Sequence, residues 1–160
     1  MTEAAMLEGI LDSHDRDPAN IIAILQDIQT EANWLPEEDL RYVAARLDIP
    51  LSKMMALATF YKAFSLKPRG KHIVSVCLGT ACHVRGGERI AGAVERELGI
   101  KGGETDESLT WTLETVGCLG ACALGPIVVV DGEYHGQMTS AKATRLLQRV
   151  RKADENGKAE

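Results

Sequence analysis

The sequence predicts an α/β protein in two parts, a small N-terminal helical bundle followed by a compact sheet-and-helix unit. Three observations carry this. Apolar residues recur at helical spacing between residues 17 and 61, a Lys67-Pro68-Arg69-Gly70 break follows, and β-rich runs then alternate with helical ones in the order β, α, β, β, β, α. With 45% hydrophobic and 26% charged residues in 160, the chain has apolar surface enough for a packed core.

The first dozen residues show weak apolar spacing, suited to a short helix or a frayed arm. Asp17 can cap a helix that starts at Pro18 and sets Ile21, Ile22, Leu25 and Ile28 on one face. Asn33-Trp34-Leu35 interrupts the pattern. A second helix opens at Pro36-Glu37-Glu38, where acidic side chains suit the positive end of the helix dipole, and buries Leu40, Val43, Ala44 and Leu47. Ile49-Pro50 ends it, and Ser52 can cap a third helix carrying Met54, Met55, Leu57, Ala58, Phe60 and Tyr61. Core packing is the first reading of that Met and aromatic cluster, and a docking face is the second.

Beyond Gly70, His72 to Val76 reads as a strand and Gly86 to Leu98 as a helix with Ile90, Ala91, Val94 and Leu98 inward, stopped by Gly99. Trp111 to Val116 alternates as a strand, Ile127 to Val130 is a buried strand, and Asp131-Gly132 turns into a hairpin partner over Glu133 to Gly136. A last helix runs from a Ser140 cap to Arg151. This element order suggests a small sheet of thioredoxin-like type. The boundaries are 1–66 for the helical domain, 71–152 for the sheet domain and 153–160 for a charged tail.

A formal net charge of −5 argues against a nucleic-acid platform, which needs a concentrated Lys/Arg surface. No apolar run approaches the ~20 residues of a membrane span, and the start, Met1-Thr2-Glu3-Ala4-Ala5, lacks a signal-peptide pattern. A cytoplasmic location without membrane insertion is therefore expected. In that reducing compartment four cysteines are better suited to be ligands or reactive thiols than disulfides.

Those cysteines fall as C-x4-C and C-x3-C: Cys77 and Cys82, then Cys118 and Cys122. Each pair follows a predicted strand, so two strand-end loops can bring four thiolates to one sheet edge. Four-cysteine ligation serves iron-sulfur centres, and the separated pairs favour [2Fe-2S], with Cys77 and Cys82 on one iron and Cys118 and Cys122 on the other. Gly79, Gly117 and Gly120, with Thr80, Ala81 and Ala121, allow close approach of backbone N–H groups to sulfur.

Other readings compete with this one. A structural zinc site uses the same ligands but more often in C-x2-C pairs. A thioredoxin-type disulfide needs C-x-x-C, which is absent, and unliganded core cysteines have no reason to sit in two glycine-flanked loops. The Gly117 to Gly125 segment fits neither G-x-G-x-x-G nor a P-loop, so the chain shows no nucleotide motif. His83 suits a solvent or outer role beside the thiolates, while His14, His72 and His135 carry no signal. Arg85 and Lys62 can face an anionic partner or simply be solvated. No catalytic set stands out, which leaves electron transfer as the chemistry these residues support.

Ala58-Thr59-Phe60-Tyr61, the Val76 to Cys82 loop, and Val116 to Pro126 together resemble the NuoE-like [2Fe-2S] subunit family. That family serves NADH dehydrogenase and NAD-linked, including electron-bifurcating, hydrogenases and formate dehydrogenases. The likeness spans roughly residues 15 to 152. It implies an N-terminal small helical bundle followed by a thioredoxin-like ferredoxin domain, and one [2Fe-2S] cluster per chain on Cys77, Cys82, Cys118 and Cys122. It also implies a flavoprotein partner that carries FMN and NAD(H), with further iron-sulfur or catalytic subunits beyond it. Phe60 to Gly70 looks more like the soluble hydrogenase-type members than the respiratory ones. A respiratory subunit, a free-standing [2Fe-2S] ferredoxin and a four-cysteine zinc module are the alternatives.

Overall fold

The computed structural model describes residues 3–157, and the chain divides into two compact units between Arg69 and Gly70. The first unit contains α1 (Ala4–Ser13), a 3-10 turn (Pro18–Asn20), α2 (Ile21–Ala32), α3 (Glu37–Arg46) and α4 (Leu51–Phe60). This is one helix more than the three expected. The weakly patterned start is helical because Leu7 and Leu11, one turn apart, are fully buried in a core with Ile24, Leu25, Ile28, Leu40, Val43 and Met54.

Asp17 caps the 3-10 turn rather than an α-helix starting at Pro18, accepting the Ala19 N–H at 2.8 Å, so α2 itself begins only at Ile21, and Asn33 ends it in the left-handed region at φ 63°. Ser52 does not cap α4. That helix begins at Leu51, two residues before the start a Ser52 cap would give, after an extended Pro50 whose ring presets the chain direction. The Met and aromatic cluster splits: Met54 and Ala58 are buried, whereas Phe60 is 80% exposed and packs edge-on against Tyr61.

The second unit runs β1 (His72–Cys77), α5 (Thr80–Val84), α6 (Gly87–Leu98), β2 (Trp111–Val116), β3 (Val128–Val130), β4 (Glu133–His135) and α7 (Ser140–Gly157). The sheet order is β2-β1-β3-β4, with β1 and β2 parallel and the other neighbours antiparallel. A parallel pair needs a crossover, which α6 supplies, and a two-residue turn suffices for β3 and β4. Val74, Val76, Leu113, Val128 and Val130 bury against Ile90 and Val94 of α6 and Ala143, Leu146 and Leu147 of α7.

Several boundaries differ from expectation. Helix α5 forms inside what reads as a plain ligand loop, since a helix of five residues is too short to show a periodic pattern. The N-cap of α7 is Thr139, whose hydroxyl accepts the Lys142 N–H at 3.3 Å, while Ser140 instead donates to the Arg89 carbonyl. The helix continues to Gly157 rather than stopping at Arg151, so most of the expected tail is helical, and residues 158–160 lie outside the described part. Among the described residues no helix is long and apolar enough to cross a membrane.

The continuation of α7 explains a residue that carries no signal in sequence. His72, buried at the start of β1, meets Asp131 Oδ2 through Nδ1 and Asp154 Oδ2 through Nε2, both at 2.6 Å, and stacks on Trp111. A neutral imidazole has one N–H, so two carboxylate partners select the imidazolium. Burial opposes that charge, but Asp131 and Asp154 outweigh it and hold the ring above its ordinary pKa. Asp154, paired with Lys71 and His72, is held below its ordinary value.

The signs follow from linkage. The His72 contribution is complete below about pH 6.5 and is lost as pH rises through the raised value, whereas the Asp154 contribution is lost only on acidification below about pH 4. His72→Gln is therefore expected to cost about 1–2 kcal/mol in urea unfolding at pH 5.5. The gap should narrow steadily towards pH 9, and a gap independent of pH would contradict the charged clamp.

Candidate metal centre

Strands β1 and β2 lie side by side and run the same way, with Cys77 in register with Val116. Both therefore deliver the chain to the same sheet edge. Cys77 is the last residue of β1, and Cys82 follows on α5. Cys118 lies two residues past the end of β2, and Cys122 opens a 3-10 turn, Cys122–Leu124. All four, with Gly79, Thr80, Ala81, Val84, Arg85 and Gly117, line one cavity of about 580 Å³.

The two pairs differ in setting. Cys77 and Cys82 are 2% and 1% exposed and belong to a buried apolar cluster with Ile127 and Val129, while Cys118 and Cys122 are exposed. Cys118 Sγ and Cys122 Sγ are 3.7 Å apart. Two thiolates on one tetrahedral metal, with metal–sulfur bonds of about 2.3 Å, stand roughly 3.8 Å apart. Among the described residues no three His, Cys, Asp or Glu side chains converge on a single point suited to one metal ion. The thiols are disposed as two pairs about one cavity.

Backbone donors surround the sulfurs. Burial raises the Cys77 thiol pKa, but the Gly79 N–H, the neighbouring Cys82 thiol and the Leu119 N–H outweigh it, so Cys77 ends below its ordinary value. Cys82 is pushed up by burial and by Cys77, with only partial relief from the Ile127 N–H. Cys122 is pushed up by its neighbour Cys118. The Gly120 N–H donates to Cys118 Sγ at 3.3 Å from a backbone with φ 80°, a conformation that favours glycine. Thiols in pairs, with amides aimed at them, suit an anionic iron-sulfur group whose sulfur charge those amides offset.

The other singled-out residues sort clearly. His83 is exposed, 3.6 Å from Glu88, and does not line the cavity. His14 pairs with Asp27 in the helical unit and His135 faces Glu133, and neither lines the thiol cavity. Lys62 lies in the helical unit beyond α4. Arg85 is the residue that sequence reading undervalued: its Nη1 donates to the carbonyls of Cys122 and Gly125 at 3.3 and 3.1 Å. Its position three residues after Cys82 was the only available signal.

A four-stranded mixed sheet flanked by helices, with paired thiols at the edge where parallel strands end, defines a class of small thioredoxin-like metal-cluster proteins. Residues 7–151 match the family model described as thioredoxin-like [2Fe-2S] ferredoxin, and the chain belongs to that family, whose members carry one [2Fe-2S] cluster. The chain is 31% identical over 137 residues to the HndA component of the NADP-reducing hydrogenase of Solidesulfovibrio fructosivorans, covering 86% of this chain and 80% of that one. It is 34% identical over 139 residues to an NADH-quinone oxidoreductase component of Escherichia coli K12, covering 86% and 84%. Among solved structures, an air-oxidised NAD+-reducing [NiFe]-hydrogenase superposes with a TM-score of 0.74 at 16% identity, over 86% of this chain. That likeness is one of fold, and this chain spans 24% of the hydrogenase chain.

Proposed function

We propose that the protein is an electron-transfer subunit in which Cys77 and Cys82 hold one iron and Cys118 and Cys122 the other iron of a single [2Fe-2S] cluster. The observation that carries this is the meeting of all four thiols, in two pairs, around one cavity. When bound, the cluster supplies a centre that takes and returns one electron at a time. The chain's own residues hold the thiolates, aim the Gly79, Leu119, Ile127 and Gly120 amides at sulfur, and wall the buried pair off from water. The exposed pair brings the site to the surface, where a partner can approach.

That partner, in this reading, is a flavoprotein binding FMN and NAD(H), within a soluble NAD-linked oxidoreductase of hydrogenase type, electron-bifurcating members included. Support comes from the relatives, which are named as subunits of an NADP-reducing hydrogenase and of NADH-quinone oxidoreductases. The respiratory alternative rests on the second group. Residues 1–66 form the docking domain and 71–152 the cluster domain. The exposed Phe60 and Tyr61 on the helical unit favour a docked subunit over a freely diffusing ferredoxin.

Purified anaerobically, the full chain is expected to be brown, with about two irons and two acid-labile sulfides per chain. An EPR signal should appear only on reduction. Colourless protein with one zinc per chain would replace this reading with the zinc-module one. Native extract should show the chain co-eluting with a flavin-containing partner, and elution as a lone small species would favour the ferredoxin alternative.

A further inference from the structure

Arg85 stands at the end of α5, three residues after the buried ligand Cys82, and reaches back across the cavity to the other ligand loop. Its Nη1 donates to Cys122 O at 3.3 Å and to Gly125 O at 3.1 Å, so one guanidinium spans the 3-10 turn that carries Cys122. The same group faces the Cys82 thiol across Gly125. A Cβ built on Gly125 would stand 3.1 Å from Cys82 Sγ, 3.2 Å from Cys122 O and 3.6 Å from Arg85 Nη1, so thiol and guanidinium both border the space that the missing side chain leaves. Arginine keeps its charge at every accessible pH, and its planar fork is fixed by the carbonyls it holds.

We propose that Arg85 is a positioning residue with two effects, tying the Cys122 loop to the Cys82 helix and raising the reduction potential of the group those cysteines hold. This rests on the four-cysteine ligand reading. Reduction adds one electron and breaks no bond, taking the net charge of two irons, two sulfides and four thiolates from about −2 to about −3. A fixed positive charge beside sulfur favours the more negative state more strongly than the less negative one.

The test uses the full chain, anaerobically purified, as wild type, Arg85→Gln, Arg85→Lys and Arg89→Gln. Arg89 lies on α6 and lines a neighbouring cavity rather than the thiol cavity, so its loss removes the same charge without touching the ligand loops. Iron and sulfide are counted, midpoint potentials are taken from EPR-monitored redox titrations, and cluster loss is timed under a ferrous chelator.

Arg85→Gln is expected to titrate at a more negative potential than wild type. Arg85→Lys should recover most of that shift because the charge remains, yet lose cluster to chelator faster than wild type because the lysine side chain ends one atom short of Nη1 and does not reach both carbonyls in the same geometry. Arg89→Gln should match wild type in both readouts. An iron-replete Arg85→Gln protein at the wild-type potential overturns the proposal, as does an equal shift in Arg89→Gln. Should Arg85→Gln purify without cluster, Arg85→Lys decides: wild-type potential with wild-type chelator resistance overturns the tether, and faster loss supports it. Wild-type protein lacking a [2Fe-2S] signal would instead defeat the ligand reading itself, a separate and distinguishable outcome.

Discussion

Cys82→Ala is expected to purify colourless, with cluster affinity lowered by more than the roughly 10–100-fold that loss of an outer-layer partner costs a metal site, and with iron and sulfide lost accordingly. Cys82 is 1% exposed, held on α5 between β1 and the Ile127 backbone, so no solvent group or neighbouring side chain can replace its sulfur. Cys118→Ser is expected to behave differently. Cys118 lies at an exposed rim, in a loop that passes through the left-handed Gly120. There is room for an oxygen ligand to approach, and part of the iron should remain with an altered EPR line shape. Metal analysis and EPR of the two variants check the contrast. An iron-replete Cys82→Ala protein with an unchanged spectrum would remove Cys82 from the ligand set.

Gly79→Ala is the second large effect, and its cause is steric rather than conformational. Gly79 has an ordinary negative φ of −59°, yet an added Cβ would lie 2.4 Å from Gly117 O and 3.4 Å from Cys118 Cα. Backbone occupies both sides of that contact, so no side chain can swing away, and the two ligand loops must move apart. Overpacking of this kind costs about 1–3 kcal/mol and here falls on the site itself. The Gly79 amide would also turn from Cys77 Sγ, which it helps to acidify. Urea unfolding should show the stability loss, and iron content should fall with it. Gly9→Ala offers the opposite sign: it sits inside α1 with nothing within 4 Å of its Cβ position, so alanine should stabilise the helical unit by about 0.5–1 kcal/mol. Wild-type iron content and stability in Gly79→Ala would show that the loops are not pressed together as described.

Local features were legible without coordinates because their causes are local. The alternation of Trp111 to Val116, the apolar run ending at Val130, the Asp131-Gly132 turn and the Gly99 stop each depend on a few neighbouring residues. The four cysteines stood out because their two pairs, each set among glycines after a strand, have the spacing that cluster ligation would need. Helix α1 was not, since Leu7 and Leu11 make a narrow stripe that becomes meaningful only against Ile24, Leu25 and Leu40. Helix α5 was missed for the related reason that so short a segment between a strand and a glycine carries too little periodicity. The extension of α7 to Gly157 runs through charged residues whose helical state is supported by Asp154 reaching His72 and Lys71, far back in the chain.

By itself the sequence determined that this protein has a helical part, a small sheet part and four thiols in two pairs, because composition, periodicity and spacing are properties of neighbouring residues. The family follows from the same residues. Only the tertiary structure decided that parallel β1 and β2 bring the pairs to one cavity, with one pair buried and the other exposed. It also decided that His72 is clamped by two carboxylates and that Arg85, at the end of α5, holds the Cys122 to Gly125 turn. Those contacts join residues 37 to 82 positions apart. Their geometry is set by strand order and helix packing, which no local pattern encodes.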